Sequence, residues 1–190
     1  MRGAQGQLLI VHNCGSVLTE DKEVIEFDAT PRMNILLEIL AETDRKVLIF
    51  AMYRASIDSI VAFLEKHGHK VGMIHGGITA TRRGDTINRF QNTPDPRVLV
   101  MQPAAAAHGI TLTAADTVVF FGPLMSVEMY IQAIARADRQ GQTSDKVTVV
   151  HIQGSPIEKK MFDALSGKVL ENGLLTKMFD EEMEAPKNIK

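Results

Sequence analysis

From Lys46 onward, apolar residues arrive in short blocks separated by stretches with helical spacing. Val47-Leu48-Ile49-Phe50-Ala51 is a continuous apolar run of strand length, the pattern of a strand covered on both faces in a parallel sheet. Behind it, Ile57, Ile60, Val61 and Leu64 recur at helical intervals, which predicts a helix from Ser56 to Lys66 closed by Gly68. Lys70 to His75 predicts a second strand, broken by Gly76-Gly77. Thr79 or Thr81 caps the helix that follows, which runs through Ile87 to Phe90. The turn Asn92-Thr93-Pro94-Asp95-Pro96 leads into a third strand, Val98 to Met101. Thr117 to Phe121 is a fourth, and Lys146 to Ile152 a fifth. Upstream, Asp28-Ala29-Thr30-Pro31 predicts a helix start, with Thr30 as N-cap and Pro31 at the first helical position. Ile35, Leu36, Ile39 and Leu40 supply its buried face.

Strand and helix alternate five times, which implies a doubly wound α/β domain. Ligands on such sheets bind beyond the carboxyl ends of the strands. Met52 to Arg54, His75 to Gly77, Gln102 to Thr111, Gly122 to Ser126 and Gln153-Gly154 are therefore expected to share one rim. Before this domain, Gln7 to Val11 and Lys22 to Phe27 suggest a small hairpin or two irregular strands. After it, Ser155-Pro156-Ile157-Glu158 opens a last helix that is expected to break near Gly167 or Gly173, followed by the acidic tail Asp180 to Glu184. The implied organisation is an N-terminal extension (1–29), an α/β lobe (30–154) and a C-terminal helix with its tail (155–190).

Composition narrows the picture. At 190 residues with 45% hydrophobic content, the chain can bury one good core. A formal net charge of -2 rules out a global basic field, so any nucleic-acid contact must be local. Cys14 is the only cysteine, which excludes an internal disulfide and fits a reducing, cytoplasmic compartment. No apolar run approaches the ~20 residues that cross a bilayer, and the first residues lack a signal-peptide core. His67, His69 and His75 lie close together without the further ligands that zinc requires, so no metal site is expected.

Two stretches carry candidate chemistry. In Gln132 to Gln142, Arg136 and Arg139 are three apart; on a helix they share one face, with Gln132 a turn back. Planar, permanently charged forks suit a phosphate gripped from several sides. A solvated helix end, with arginines at the negative pole and Gly141 as the stop, accounts for the same residues. The second stretch, Gln102 to Asp116, is rich in small residues that let a backbone approach a ligand closely, and Gly109 can take a positive φ. A tight crossover packed on the sheet is its plain alternative. No Gly-x-x-x-x-Gly-Lys-Ser/Thr occurs, so a triphosphate cradle and a magnesium carboxylate must come from another domain.

From Lys46 to Gln142 the chain resembles the second RecA-like lobe of superfamily-two helicases, specifically the Swi/Snf-type DNA-dependent ATPases. Lys46 to Phe50 looks like the strand of that family's fourth motif. His75-Gly76-Gly77 with Thr79, Arg82 and Arg89-Phe90 is similar to the block after it, Gly109 to Val118 to the fifth motif, and Gln132 through Arg136, Arg139 and Gly141-Gln142 to the sixth. The resemblance implies a three-layer RecA-like fold and a divided active site. ATP and magnesium would be held by a P-loop lobe of the same parent protein. Arg136 and Arg139 would act as arginine fingers, with Gly109 and Thr111 by the nucleotide and Gln132 orienting the finger helix. It further implies that Arg54, His75, Gly76 and Gln102 contact the backbone of double-stranded DNA, and that the 190 residues alone are inactive. Two departures stand out: Ala104, Ala106 and Ala107 where the fifth motif usually has an Arg and paired glycines, and Ala135 and Asp138 in the sixth. An acid at 138 is expected to pair with Arg139 and hold the finger back. A non-catalytic RecA-like interaction or regulatory module is the alternative function.

Overall fold

In a computed structural model of the chain, residues 16–18, 24–26, 28–106 and 109–168 are described. β1 (Ser16–Leu18) and β2 (Val24–Glu26) form an antiparallel pair apart from the main sheet. The expected hairpin thus uses a later first strand, and Gln7 to Val11 lie outside the described residues. α1 (Thr30–Glu42), β3 (Lys46–Phe50), α2 (Arg54–Lys66), β4 (Val71–Ile74), α3 (Ala80–Asn92), β5 (Val98–Met101), β6 (Ala115–Phe120), α4 (Val127–Ile134) and β7 (Thr148–His151) follow, then a helix over 156–168, here α5. β3 to β7 make a five-stranded parallel sheet in the order β4-β5-β3-β6-β7.

Alternate residues of the apolar strands feed two cores, as a sheet covered on both faces requires. Val47, Ile49, Val98 and Val100 meet α1 and α2 through Leu36, Leu40, Ile57, Ile60 and Leu64. Leu48, Phe50, Leu99, Val118 and Phe120 meet the other layer through Phe90 of α3, Tyr130 and Ala133 of α4, and Phe162 and Leu165 of α5. The fold is therefore the three-layer RecA-like α/β arrangement, and α5 packs into its core. Among the described residues no helix is long and apolar enough to cross a membrane.

Local signals place most boundaries. Thr79 Oγ1 accepts the Arg82 N–H at the start of α3, and Gly68, at φ 84°, ends α2 in the left-handed region. Thr30 is not the cap of α1. The helix already includes it, and the Asp28 carboxylate accepts its N–H at 2.9 Å. Hydrogen bonds from the Thr30 hydroxyl and then from its N–H hold the Asp28 carboxyl below its usual range. α2 begins at Arg54, two residues before Ser56. α5 continues past Gly167; Gly173 and the acidic tail lie outside the described residues.

α1 and α5 are locked together by an ion pair that sequence spacing does not reveal. Arg32 Nη2 donates to both oxygens of Glu158, at 2.8 and 2.6 Å, and Nη1 donates to the carbonyls of Phe121 and Ile152. Glu158 is 1% exposed and also accepts the Gly154 N–H. Its side chain, expected merely to complement a helix dipole, is the buried counter-charge of a half-buried arginine. Because a buried charge stripped of its partner is costly, Arg32→Met is expected to lower unfolding free energy by about 3–5 kcal/mol in urea denaturation.

Beneath α5, His151 stacks on Phe162 (ring centroids 4.2 Å apart), and its Nε2 meets the Tyr130 hydroxyl at 2.8 Å. Burial pushes the His151 pKa down, with Asp163 opposing, and pushes the Tyr130 hydroxyl up. A histidine depressed in the folded state contributes stability that is complete above its unfolded pKa of about 6.5 and is lost as pH falls toward the lower folded value. His69 is also depressed, by burial and by Arg97 and His67. Urea midpoints should therefore fall below about pH 6.5. The fall should be shallower in His151→Gln than in the native chain, with the remaining slope left to His69.

Candidate functional site

Helices that connect parallel strands run back along the sheet, so the candidate residues separate into two groups at opposite ends. At the carboxyl end, one glutamine joins three loops. The Gln102 N–H donates to the Ile74 carbonyl (3.0 Å), its Nε2 donates to the Met52 carbonyl (3.0 Å), and its Oε1 accepts the Gly76 N–H (3.1 Å). His75, 4% exposed, accepts the Gly77 N–H at Nδ1 (3.1 Å), which fixes the orientation of its ring. A Cβ on Gly77 would lie 3.1 Å from that ring and 3.4 Å from Arg54 Nη1, so any side chain there would push the ring aside by a few tenths of an ångström. Arg54 heads α2 and is exposed, with its Nε 3.7 Å from Asp58. Arg54, His75, Gly76 and Gln102 thus form one rim, beside the first turns of α2 and α3.

Gly109 and Thr111 do not belong to that rim, contrary to expectation. The connection from β5 opens with a short 3₁₀ turn, Pro103–Ala106, and residues 109–114 lead into the amino end of β6, where Lys46 pairs with Ala115. β6 is six residues long, so at ~3.3 Å per residue the two groups stand on the order of 20 Å apart.

Arg136 and Arg139 also differ from the expected placement. α4 stops at Ile134 with Ala135 as C-cap, before either arginine. The chain then winds more tightly, with Arg136 N–H to the Ala133 carbonyl and Ala137 N–H to the Ile134 carbonyl, and turns at Gly141 (φ 99°). The arginines share this turn, not a helix face. The turn is fastened to the Gly109 loop: Leu112 N–H donates to the Arg136 carbonyl at 2.8 Å, and Arg139 Nη1 donates to the Gly109 carbonyl at 3.4 Å. Gly109 has φ 69°, a conformation that suits glycine. Thr111 is exposed beside it. Gln132, mid-helix, donates to Glu128 at 3.0 Å, within its own helix.

Two further glutamines complete this end. Gln142 Nε2 donates to the carbonyls of Ala115 and Ala137, both at 2.9 Å, while its Oε1 accepts the N–H of Thr143 and of Ser144. Gln91 of α3 accepts the Ala114 N–H and donates to Thr113 Oγ1. Gln91 was not among the expected site residues, because a single polar residue beside a core phenylalanine has no periodic signal. Among the described residues Asp138 makes no ion pair with Arg139, so the expected acidic restraint is absent. Arg136 Nε is buried without a hydrogen-bond partner among the described residues. A buried guanidinium donor left open is costly unless an acceptor arrives. No group of three His, Cys, Asp or Glu among the described residues could hold a metal ion.

Comparison with known proteins agrees with the fold. The family pattern described as the helicase conserved C-terminal domain matches residues 31–141. The chromatin-remodeling ATPase INO80 of Lodderomyces elongisporus is 30% identical over 173 residues, covering 88% of this chain and 11% of that protein. Helicase swr1 of Schizosaccharomyces pombe is 31% identical over 134 residues, covering 70% of this chain and 10% of that protein. The chain therefore spans about a tenth of the length of these relatives. A solved structure of the C-terminal part of the Fun30 ATPase domain shares the fold, with TM-score 0.66 at 24% identity, over 73% of this chain and 47% of that one. With residues 31–141 of 190 matched, the chain belongs to the helicase conserved C-terminal domain family, as a second RecA-like lobe of Swi/Snf type.

Proposed function

We propose that the chain is the second motor lobe of an ATP-dependent translocase acting on duplex DNA, closing over ATP held by a P-loop lobe. The observation that carries the reading is Arg136: its Nε is buried and unpartnered, on a turn tied to the Gly109 loop and to β6. With Nε buried, the partly exposed remainder of the Arg136 guanidinium is what the anionic oxygens of the γ-phosphate would meet. Guanidiniums held there would stabilise charge developing on the transferred phosphoryl, an effect worth ~10³-fold or more in related systems. Gly109 and Thr111 would lie along the nucleotide, where a backbone in the left-handed region brings amides close. Gln132, whose amide is engaged by Glu128, would steady α4. The described residues do not fit a magnesium site, so that ion would belong wholly to the P-loop lobe.

At the other end of the sheet, Arg54 and the first turns of α2 and α3 present positive charge and backbone N–H groups suited to DNA phosphates. His75, Gly76 and Gln102 would hold those loops in register. Separation of the two ends lets nucleotide and DNA be bound together, and lobe closure around one would move the other. The relatives named for chromatin make a compartment containing DNA the proposed location, in place of the cytoplasm.

ATPase kinetics and DNA titrations test the reading. In the longer protein that supplies the P-loop lobe, Arg136→Ala should lower kcat by ~10³-fold while nucleotide affinity changes little. The 190 residues alone should show no DNA-stimulated ATPase. An unchanged kcat would leave the chain a non-catalytic RecA-like module. In fluorescence titrations with duplex, Arg54→Ala should weaken binding and reduce the salt slope by about one. Gln102→Ala should weaken it too, without changing that slope, because it removes loop order and no charge.

A further inference from the structure

β4 is an edge of the main sheet, and no described strand lies beyond it. Its bonds to β5 run through alternate residues: the Lys70 carbonyl accepts the Val98 N–H at 3.4 Å, and the Ile74 carbonyl accepts the Gln102 N–H at 3.0 Å. In a parallel ladder this turns the peptide groups of Val71 and Met73 outward. They open into a groove of about 330 Å³ between α2 and α3. One wall is largely apolar, with Val61 of α2 beside the Val71 and Met73 side chains, which pack on the α1–α2 core, and with Glu65 as its acid. The other wall is α3, drawn close where Gly72 has no side chain, since a Cβ there would lie 3.0 Å from Thr86 Cγ2. Arg82 and Arg89 line this wall with Asp85 between them, and all three are exposed. Seven residues apart, the arginines share one stripe of the helix, about 10 Å apart along its axis. Among the described residues neither of them, nor Lys70 just before β4, enters an ion pair.

We propose that this edge is completed by the chain's own segment 179–184, added to β4 as an extended strand. Strand addition draws affinity from open peptide groups and selectivity from alternate side chains. Laid out as a strand, the segment carries Phe179 and Met183 on one face and Asp180, Glu182 and Glu184 on the other. The first face suits Val61 and Met73, the second the arginine stripe. Glu181 interrupts the apolar face, with Lys70 as its available counter-charge and Glu65 opposing. α5 follows β7 and runs back along the sheet, so residue 168 lies toward the amino ends of the strands, the end at which Lys70 enters β4. β7 and β4 are opposite edges, four strand spacings or ~20 Å apart. Residues 169–178 span up to ~35 Å when extended, which is enough to reach. A second copy fits the groove less well. Pairing β4 with β4 about a two-fold normal to the sheet sets α3 beside α3, so that arginine meets arginine and Asp85 meets its equivalent.

The test compares amide exchange at Val71 and Met73 in the 190-residue chain, in the same chain ending at residue 178, and in that shortened chain with a synthetic peptide of residues 178–186. The full chain should exchange at these two amides about tenfold more slowly than the shortened one, the scale of one hydrogen bond. Gly72 and Ile74, which face β5, should match in both and report that the shortened chain is folded. A tethered segment acts at an effective concentration on the order of 1 mM, so peptide at about that concentration should return the protection. In the full chain, Arg89→Glu should speed exchange at Val71 and Met73 by several-fold, and adding Asp180→Lys and Glu182→Lys should reverse that loss. Equal exchange at the two amides in full and shortened chains would overturn the proposal. So would protection that survives the shortening and disappears on dilution, which would assign the edge to a second copy, or a loss in Arg89→Glu that the charge-swapped segment leaves unrelieved.

Discussion

A parallel sheet covered on both faces leaves only its two ends for polar chemistry. Here Val47, Ile49, Val98 and Val100 commit one face to α1 and α2, and Leu48, Phe50, Val118 and Phe120 commit the other to α3, α4 and α5. Every loop that could meet a ligand therefore leaves the sheet at the carboxyl ends of the strands or re-enters it at the amino ends. The crossover from Gln102 to Ala115 is the segment that visits both. That geometry separates the rim of Arg54, His75, Gly76 and Gln102 from the turn of Arg136 and Arg139, while joining them through one covalent path.

The loops at both ends are ordered by the same chemical device. A glutamine amide carries donors and an acceptor on one planar group, so it can join backbone groups that do not lie in register. Gln102 does this for the loops after β3, β4 and β5. Gln142 does it between β6 and the arginine turn, and Gln91 between α3 and the residues entering β6. These side chains satisfy peptide groups that the sheet cannot pair, and they do so without adding a charge. The buried Arg32–Glu158 pair serves a different purpose. It gathers the carbonyls ending β6 and β7, the start of α1 and the first turn of α5 around one fixed charge, which makes α5 part of the lobe's core.

The family pattern over residues 31–141 and the likeness to the C-terminal part of the Fun30 ATPase domain agree with a lobe of this shape. Spacing in sequence alone would treat Arg136 and Arg139 as a pair. Their surroundings differ: one has an open buried donor, the other a carbonyl to hold. Asp138 shows the same point from the opposite side. An acid next to an arginine in sequence suggests an ion pair, yet at a non-helical turn adjacent side chains diverge, and Arg139 reaches across to the Gly109 loop.

Apolar runs and helical repeats were enough to determine the five strands, the helices between them and their assignment to a doubly wound sheet, because burial on two faces imposes a pattern that is local in sequence. The motif residues around Gly109, Arg136 and Arg139 were legible for the same reason: they follow that pattern at set distances. Tertiary structure alone decided which end of the sheet each residue occupies, where α4 stops, and which groups close on one another. Gly109 appeared to belong to the rim because its loop starts there, and only the path of the crossover carries it to the far end. The arginines at 136 and 139 appeared to share a helix face because their spacing permits it. The helix ends at Ile134 because the next backbone groups are taken up by Leu112 and Gln142, partners that lie far away in sequence and are brought near only when the sheet has formed.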